Sequence, residues 1–403
     1  MNREHAIDDA VLRSTMVNKV VDWWRDTGGR PGLNQRVLSA MRVVPRHVFV
    51  PHADLTDAYA PGIVAIKHST DRRVLSCASA PSIVALMLSQ LDVRPGQRVL
   101  EVGAGSGYQA ALLDDLSGIS GRVTTVDVDQ DVVGMACWSL EVAGYPDVEV
   151  ICGNGAAALP AREWDRIIVA VGPWDLPAAW RVQLVDGGRL VTPLRLRGSS
   201  RLVAFTRHGS TLTSTDVQMG GFVPMTGPGQ HGERSAPIHE QDAAVLFWDS
   251  DQDVDPDMLT GVLAKAPCKV WSGAYVANKE SYDGVWLRML TEPGLTALEI
   301  RPELHDPDAR PAIGWRNPAL VAENAIAYLT VARLGGPKGW ELGAIGHGPR
   351  GSLLADRICR HIREWSGQRA APPTITAYPA DTPTSMIDGH VIDKPLTRLG
   401  ITY

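Results

Sequence analysis

The run Leu100-Glu101-Val102-Gly103-Ala104-Gly105-Ser106-Gly107-Tyr108 sets three alternating glycines behind an acid. Glycine lets the backbone pass close to a ligand where a Cβ would collide. A second acid, Asp127, stands twenty residues after Gly107, at the end of the next apolar, β-branched run. A carboxylate there suits the two hydroxyls of a ribose. The spacing is G-x-G-x-G, with Tyr108 where a dinucleotide fingerprint requires its third glycine. Glu101, two residues ahead of Gly103, would lie near the cationic end of a ligand. A pyrophosphate would be repelled there, whereas an ammonium or a sulfonium would not. The pattern points to S-adenosylmethionine rather than NAD. Gly153-Asn154-Gly155 ends a third strand, where a side-chain amide would meet an adenine edge; a simple turn is the other reading. The candidate cofactor residues are thus Glu101, Gly103, Gly105, Gly107, Asp127, Gly153 and Asn154.

These residues need a scaffold of strands that end at one rim. From about 80 to 208 the sequence alternates apolar β-branched runs with amphipathic segments. It predicts a helix over 82–91, strand 98–102, helix 109–116, strand 122–128, helix 130–143 and strand 148–152. Strand 166–171, a short helix over 177–184 and strands 188–193 and 202–206 follow. Such alternation indicates a mainly parallel sheet covered on both faces, whose ligands sit at the carboxyl ends of the strands. Ahead of it, 8–25 has helical spacing, ended by Gly28-Gly29 and Pro31-Gly32, and Arg42–Pro51 reads as a short extended piece between prolines.

The length of 403 residues suggests two or three domains. The division expected is a core over 1–229, a Gly/Pro/His/Gln-rich linker over 230–242, and an α+β accessory domain over 243–403. In the last part, strands are expected at 243–248, 269–271, 285–290 and 325–331, a helix at 353–365, and an extended tail after Pro372. A net charge of −6 argues against binding to a phosphate backbone, so no nucleic-acid partner is expected. No apolar run is long enough for a membrane span, and the N-terminus lacks the apolar region of a signal peptide, so a cytoplasmic location is expected. Five dispersed cysteines without C-x-x-C spacing suit reduced thiols and no metal site. The acidic run Asp249–Asp257 fails as a calcium loop, with Val254 where glycine and Thr260 where glutamate would be needed, and reads as a solvated loop.

Across about Val37 to Thr226 the chain resembles the protein-L-isoaspartate (D-aspartate) O-methyltransferases. The likeness rests on Pro45-Arg46-His47-Val48-Phe49-Val50-Pro51, Ser79-Ala80-Pro81, the glycine loop with Gln109-Ala110, Gly153-Asn154-Gly155, Gly187–Pro193 and Phe222-Val223-Pro224-Met225-Thr226. The resemblance implies a class I, Rossmann-like methyltransferase core. It implies S-adenosylmethionine as donor, S-adenosylhomocysteine as product, and a substrate carboxylate beside the Ser-Ala-Pro turn. It also makes Ser79 the active-site hydroxyl and places Ala80, Pro81, Ser82 and Val223 along the substrate groove. Ser82 stands where the family often has an aromatic residue or histidine, Asn154 replaces the aspartate of G-D-G, and Asp127 replaces a glutamate. The long C-terminal domain is similar to the extension of the actinobacterial subgroup that works beside lanthipeptide synthetases or ATP-grasp cyclases.

Methyl transfer to a carboxylate is an in-line displacement. The acceptor, with a reference pKa of ~3.9, is already ionised at neutral pH, so no general base is needed. His47, His52 and His68 read as surface or structural. Ser79 would orient the carboxylate by donating a hydrogen bond; a helix N-cap ahead of Pro81 is the alternative. The expected substrate is an aspartate side chain of a macrocyclic, ribosomally made peptide, leading to an aspartimide that either persists or hydrolyses to isoaspartate. Repair of isoaspartyl residues in damaged proteins is the alternative.

Overall fold

A computed structural model of the chain describes residues 8–27, 32–160, 162–227, 230, 232–239, 242–304, 310–334, 339–369 and 371–403. The expected helix stop at 28–31 and the N-terminal residues 1–7 lie outside the described residues. The chain forms two compact units, Met1–Pro193 with Leu202–Gly227, and Leu194–Arg201 with Pro228–Tyr403.

The first unit opens with helices α1 (Asp9–Asp26) and α2 (Gln35–Val43). Asp8 caps the first by accepting from the Ala10 amide, and Asn34 caps the second by accepting from Arg36. The expected extended piece at 42–51 is not extended. Helix α2 runs through Val43, Val44 turns to the β region ahead of Pro45, and Arg46–Phe49 forms a 3-10 turn. A short helix α3 (Leu55–Ala58), an antiparallel hairpin of β1 (Val64–His68) and β2 (Val74–Ala78), and helix α4 (Pro81–Leu91) complete the approach to the sheet.

Then come β3 (Arg98–Val102), α5 (Tyr108–Ser117), β4 (Arg122–Asp127), α6 (Gln130–Ala143), β5 (Glu149–Cys152), β6 (Trp164–Val169), α7 (Ala178–Gln183), β7 (Leu184–Leu196), β8 (Ser199–His208) and β9 (Thr211–Met219). The order across the sheet is β5-β4-β3-β6-β7-β8-β9, and β5 to β7 run parallel. Strand β3 is central because the chain winds first through β4 to β5, then crosses to β6 on its other side. That reversal opens a crevice between the ends of β3 and β6, the usual ligand position in such sheets. The interior residues of β3, Val99, Leu100 and Val102, are all buried, as a sheet covered on both faces requires. Strand β9 was not expected: its run Thr211-Leu212-Thr213-Ser214-Thr215-Asp216 is mostly polar and half-exposed, so it carries little apolar signal.

The second unit holds strands β10 (Glu233–Pro237), β11 (Ala244–Asp249) and β12 (Cys268–Val276), and helix α8 (Gly284–Arg288). It continues with β13 (Leu295–Ile300), β14 (Arg310–Pro311), β15 (Asn317–Ala322), β16 (Ala325–Arg333) and β17 (Trp340–His347). Helix α9 (Gly351–Gly367) and strands β18 (Thr374–Pro379), β19 (His390–Asp393) and β20 (Thr397–Thr402) end the chain. Its main sheet has the order β10-β11-β13-β15-β16-β17-β12, antiparallel throughout.

Three expectations are corrected here and one is made more specific. The linker at 230–242 contains β10, paired with β11 from Glu233↔Asp249 to Pro237↔Val245; an edge strand tolerates the proline that made it read as a linker. Val285–Leu290 is helical, since a short apolar run does not reveal its own period. The tail is extended as expected, in three paired strands. The acidic run is not simply solvated: Asp249 is buried, and Arg197 donates to Asp251 at 2.6 and 2.7 Å.

Candidate active site

Beyond Val102 the chain turns through the glycine loop at the crevice between β3 and β6. The Gly103 amide donates to Val126 O at 2.8 Å, and Ala170 N, just past β6, donates to Val102 O at 2.7 Å. Gly103 has φ +97°, and a Cβ there would stand 3.1 Å from Val171 Cγ1. Gly105 has φ +52°, and a Cβ there would come within 3.3 Å of Cys77 O. A side chain at either position would crowd its neighbour and strain the left-handed backbone. Gly107 is the left-handed N-cap residue of α5.

Asp127 ends β4 half-buried. Its Oδ2 accepts from the Gly105 amide at 3.3 Å and its Oδ1 from Asp129 N at 3.1 Å. The carboxylate thus fixes the loop while remaining open to a ligand. Gly153 follows β5 and its amide donates to Asp127 O at 2.8 Å. Asn154 is exposed, with Oδ1 accepting from Ala156 N at 3.0 Å, so its oxygen closes its own turn. Glu101 lies beneath the loop, fully buried, rather than on its surface. Its Oε2 accepts from Thr125 Oγ1 at 2.6 Å, whereas Oε1 has no hydrogen-bond partner. Burial pushes its carboxyl up to about 8, with the Thr125 hydrogen bond opposing the shift. A bound cation would favour the charged form of this carboxyl. The glycine cradle, the Asp127 carboxylate at the end of β4 and the under-bonded Glu101 carboxyl together fit S-adenosylmethionine.

The Ser79-Ala80-Pro81 turn, which the resemblance makes the acceptor turn, reaches the same rim. Strand β2 passes over the donor loop, which is why Cys77 O meets the space a Gly105 side chain would need. Ser79 follows that strand. The N-cap of α4 is Ala80, with Pro81 in the first turn and no side-chain capping bond. The capping alternative for Ser79 therefore falls, and its hydroxyl is left for another role. Ser82 sits in the first turn of α4. The segment around Val223 joins through Gly172, whose amide donates to Val223 O at 2.7 Å, while Met225 N donates to Gly172 O at 2.9 Å. Gly172 adjoins Ala170-Val171, against which Gly103 packs. Ser79–Ser82, the glycine loop, Asp127, Gly153-Asn154 and Val223 are thereby gathered at the carboxyl ends of β3 to β6.

Two residues with no assigned role in the sequence motifs shape this rim. Lys67 of β1 donates to Asp129 at 2.7 and 2.9 Å and to Asp131 at 2.8 Å, tying the hairpin to the start of α6. Hydrogen bonding to Asp129 and then Asp131 holds its ammonium above the usual range. Arg46 is wholly buried against the acceptor turn. The histidines sit apart from this chemistry: His47 Nδ1 bonds the Tyr59 hydroxyl at 2.8 Å and His52 Nε2 bonds Ala65 O at 2.8 Å.

A parallel sheet with a glycine-lined donor loop at its switch point, an acid ending the next strand and an acceptor turn above is a class I methyltransferase. The family profile described as protein-L-isoaspartate(D-aspartate) O-methyltransferase matches residues 18–230, and the chain belongs to that family. A protein-L-isoaspartate O-methyltransferase of Roseiflexus castenholzii is 39% identical over 196 residues, 48% of this chain and 85% of its own length. One of Methanococcoides burtonii is 36% identical over 197 residues, 49% of this chain and 94% of its own length. A solved structure titled protein-L-isoaspartate O-methyltransferase shares the fold, with a TM-score of 0.50 and 18% identity, over 90% of this chain and 96% of its own. The chain is a protein carboxyl methyltransferase that uses S-adenosylmethionine. No helix among the described residues is long and apolar enough to cross a membrane.

Proposed function

We propose that this enzyme methylates the free carboxylate of L-isoaspartyl residues in proteins or peptides. The observation that carries the reading is the acceptor turn laid over the donor loop, with Cys77 O 3.3 Å from the position of a Gly105 Cβ and Ser79 two residues further along. Bound in the loop, S-adenosylmethionine supplies an electrophilic methyl group. Ser79 donates a hydrogen bond to one carboxylate oxygen and leaves the other free to attack. The acceptor is ionised at neutral pH, so no proton has to be removed. Catalysis comes from alignment, which can be worth ~7–11 kcal/mol. The methyl ester then closes to a succinimide: the backbone nitrogen that follows attacks the ester carbonyl, and methanol leaves with the amide proton. That closure needs no residue of this chain.

A second reading takes a normal aspartate in a macrocyclic ribosomal peptide as the acceptor. Its support is the small Ser82 at the groove, which leaves room for a ring-constrained segment, and the second unit beyond the family match. The test is a comparison of initial rates on an L-isoaspartyl peptide, its L-aspartyl counterpart and a cyclised aspartyl peptide, with methyl incorporation followed by mass spectrometry. The isoaspartyl peptide should be fastest. A faster cyclised peptide would transfer the assignment to the second reading, and no methylation of isoaspartyl peptides would reject the first.

A further inference from the structure

Arg46 is the buried residue that neither the donor site nor the acceptor chemistry has used. Its side chain is 0% exposed. Arginine keeps its charge in proteins, and among the described residues no carboxylate pairs with this one. Burial presses its guanidinium below the usual range, opposed in part by Tyr108, Cys77 and Tyr59. Compensation comes instead from backbone oxygens. Nε donates to Ala58 O at 2.9 Å, and Nη2 donates to Ala78 O at 3.3 Å and Ser79 O at 2.9 Å. The guanidinium carbon also lies 4.9 Å from the centre of the Tyr108 ring, within the range of a cation–π contact. Tyr108 is the first residue of α5, directly after Gly107. One side chain therefore touches both the turn that presents Ser79 and the exit of the donor loop.

We propose that Arg46 is a positioning residue that fixes the acceptor turn at a set distance from the donor loop. The proposal rests on the functional reading above in taking Ser79 as the group that orients the acceptor. If Arg46 served packing alone, an apolar side chain of similar volume would be as good or better, because burying an unpaired charge is costly. The guanidinium does what an apolar group cannot: its fork meets Ala58 and the 78–79 pair together from two nitrogens. A lysine ammonium is a single point and cannot span them in the same geometry. Misplacement of reacting groups by about 1 Å can cost ~100-fold in rate, so a slackened turn should be felt in turnover before it is felt in donor affinity.

The test compares Arg46→Lys with wild-type full-length enzyme. The readouts are turnover and KM on an isoaspartyl peptide, S-adenosylhomocysteine affinity by calorimetry, and amide hydrogen exchange of the segment 76–82. The expected result is a kcat lowered by ~10–100-fold. Donor affinity should stay within about threefold of wild type, and exchange should quicken at 78–82 but not in the body of α4. Turnover per folded molecule close to wild type, with only a lower melting temperature, would overturn the proposal. So would a loss of donor affinity as large as the loss of turnover, or unchanged exchange at 78–82. If Arg46→Lys does not fold, Arg46→Gln, which keeps one amide donor, takes its place in the same measurements. A wild-type enzyme inactive on isoaspartyl peptides would count against the functional reading, and the exchange contrast, which needs no substrate, would still decide the role of Arg46.

Discussion

Replacing Asp127 by alanine should separate donor recognition from loop architecture. Its carboxylate accepts two backbone bonds, from Gly105 at 3.3 Å and Asp129 at 3.1 Å. The first is long and the second ordinary, and a net worth of ~1 kcal/mol each sets the expected stability loss at ~1–2 kcal/mol. Donor binding should suffer more. A hydrogen bond to a charged group contributes ~1.5–3 kcal/mol, and a ribose offers two. The carboxylate is half-exposed, so water competes and the full sum is not realised. A total loss of ~1.5–3 kcal/mol corresponds to about a ten- to hundredfold weaker dissociation constant. Calorimetric titration with S-adenosylhomocysteine measures it, with a thermal melt as the control for folding. Asp127→Asn, which keeps a neutral acceptor for the loop, should retain more of the stability than of the affinity. A folded Asp127→Ala variant that binds within about threefold of wild type would refute the assignment of the ribose acid.

Ser79→Ala should lower turnover by at least about tenfold while leaving melting and donor affinity near wild type, because α4 is capped at Ala80 without a side-chain bond; a destabilised variant with full activity per folded molecule would reject the catalytic role. Glu101 has a folded pKa of about 8 against 4.5 for a free carboxyl. Between those values the folded state holds the extra proton, so its contribution to stability should decline as pH rises from 4.5 to 8. Glu101→Gln should flatten that slope in denaturant melts, and an unchanged slope would refute the buried-acid account. In the second unit, burial opposes the charge on Glu292, but hydrogen bonds from His361 and Arg357 outweigh it and hold the carboxyl at about 2. The stabilisation it provides is complete above 4.5 and should be lost as pH falls toward 2; acid melts of Glu292→Gln should lack this loss.

What the sequence disclosed followed from how local its signal was. Strand β3 and helix α6 have the bounds read from the sequence, because an apolar run and a Gly103 turn delimit the first. Asp129 caps the second, and Gly144 closes it in the left-handed region. The glycine loop announces its place by spacing alone. Contacts that join distant segments have no such signature. Arg46 reaches Ser79 across 33 residues and Lys67 reaches Asp129 across 62, and nothing near either residue marks its partner. Spacing also located Glu101 without disclosing its depth or its Thr125 partner on the neighbouring strand. Strands β9 and β10 stayed hidden because polar alternation and a proline both read as loop.

The assignment of Leu194–Arg201 to the second unit, while Met1–Pro193 and Leu202–Gly227 form the first, means the chain passes between units three times. No single cut releases either unit whole. During synthesis the segment carrying Arg197 emerges well before its buried carboxylate partner, Asp249, which follows 52 residues later. A nascent chain stopped near 229 would hold that arginine without either Asp249 or Asp251. All of the first unit is translated by Gly227, but the ends of β7 and β8, which belong to the second unit, meet their partners only in residues translated after the whole catalytic core.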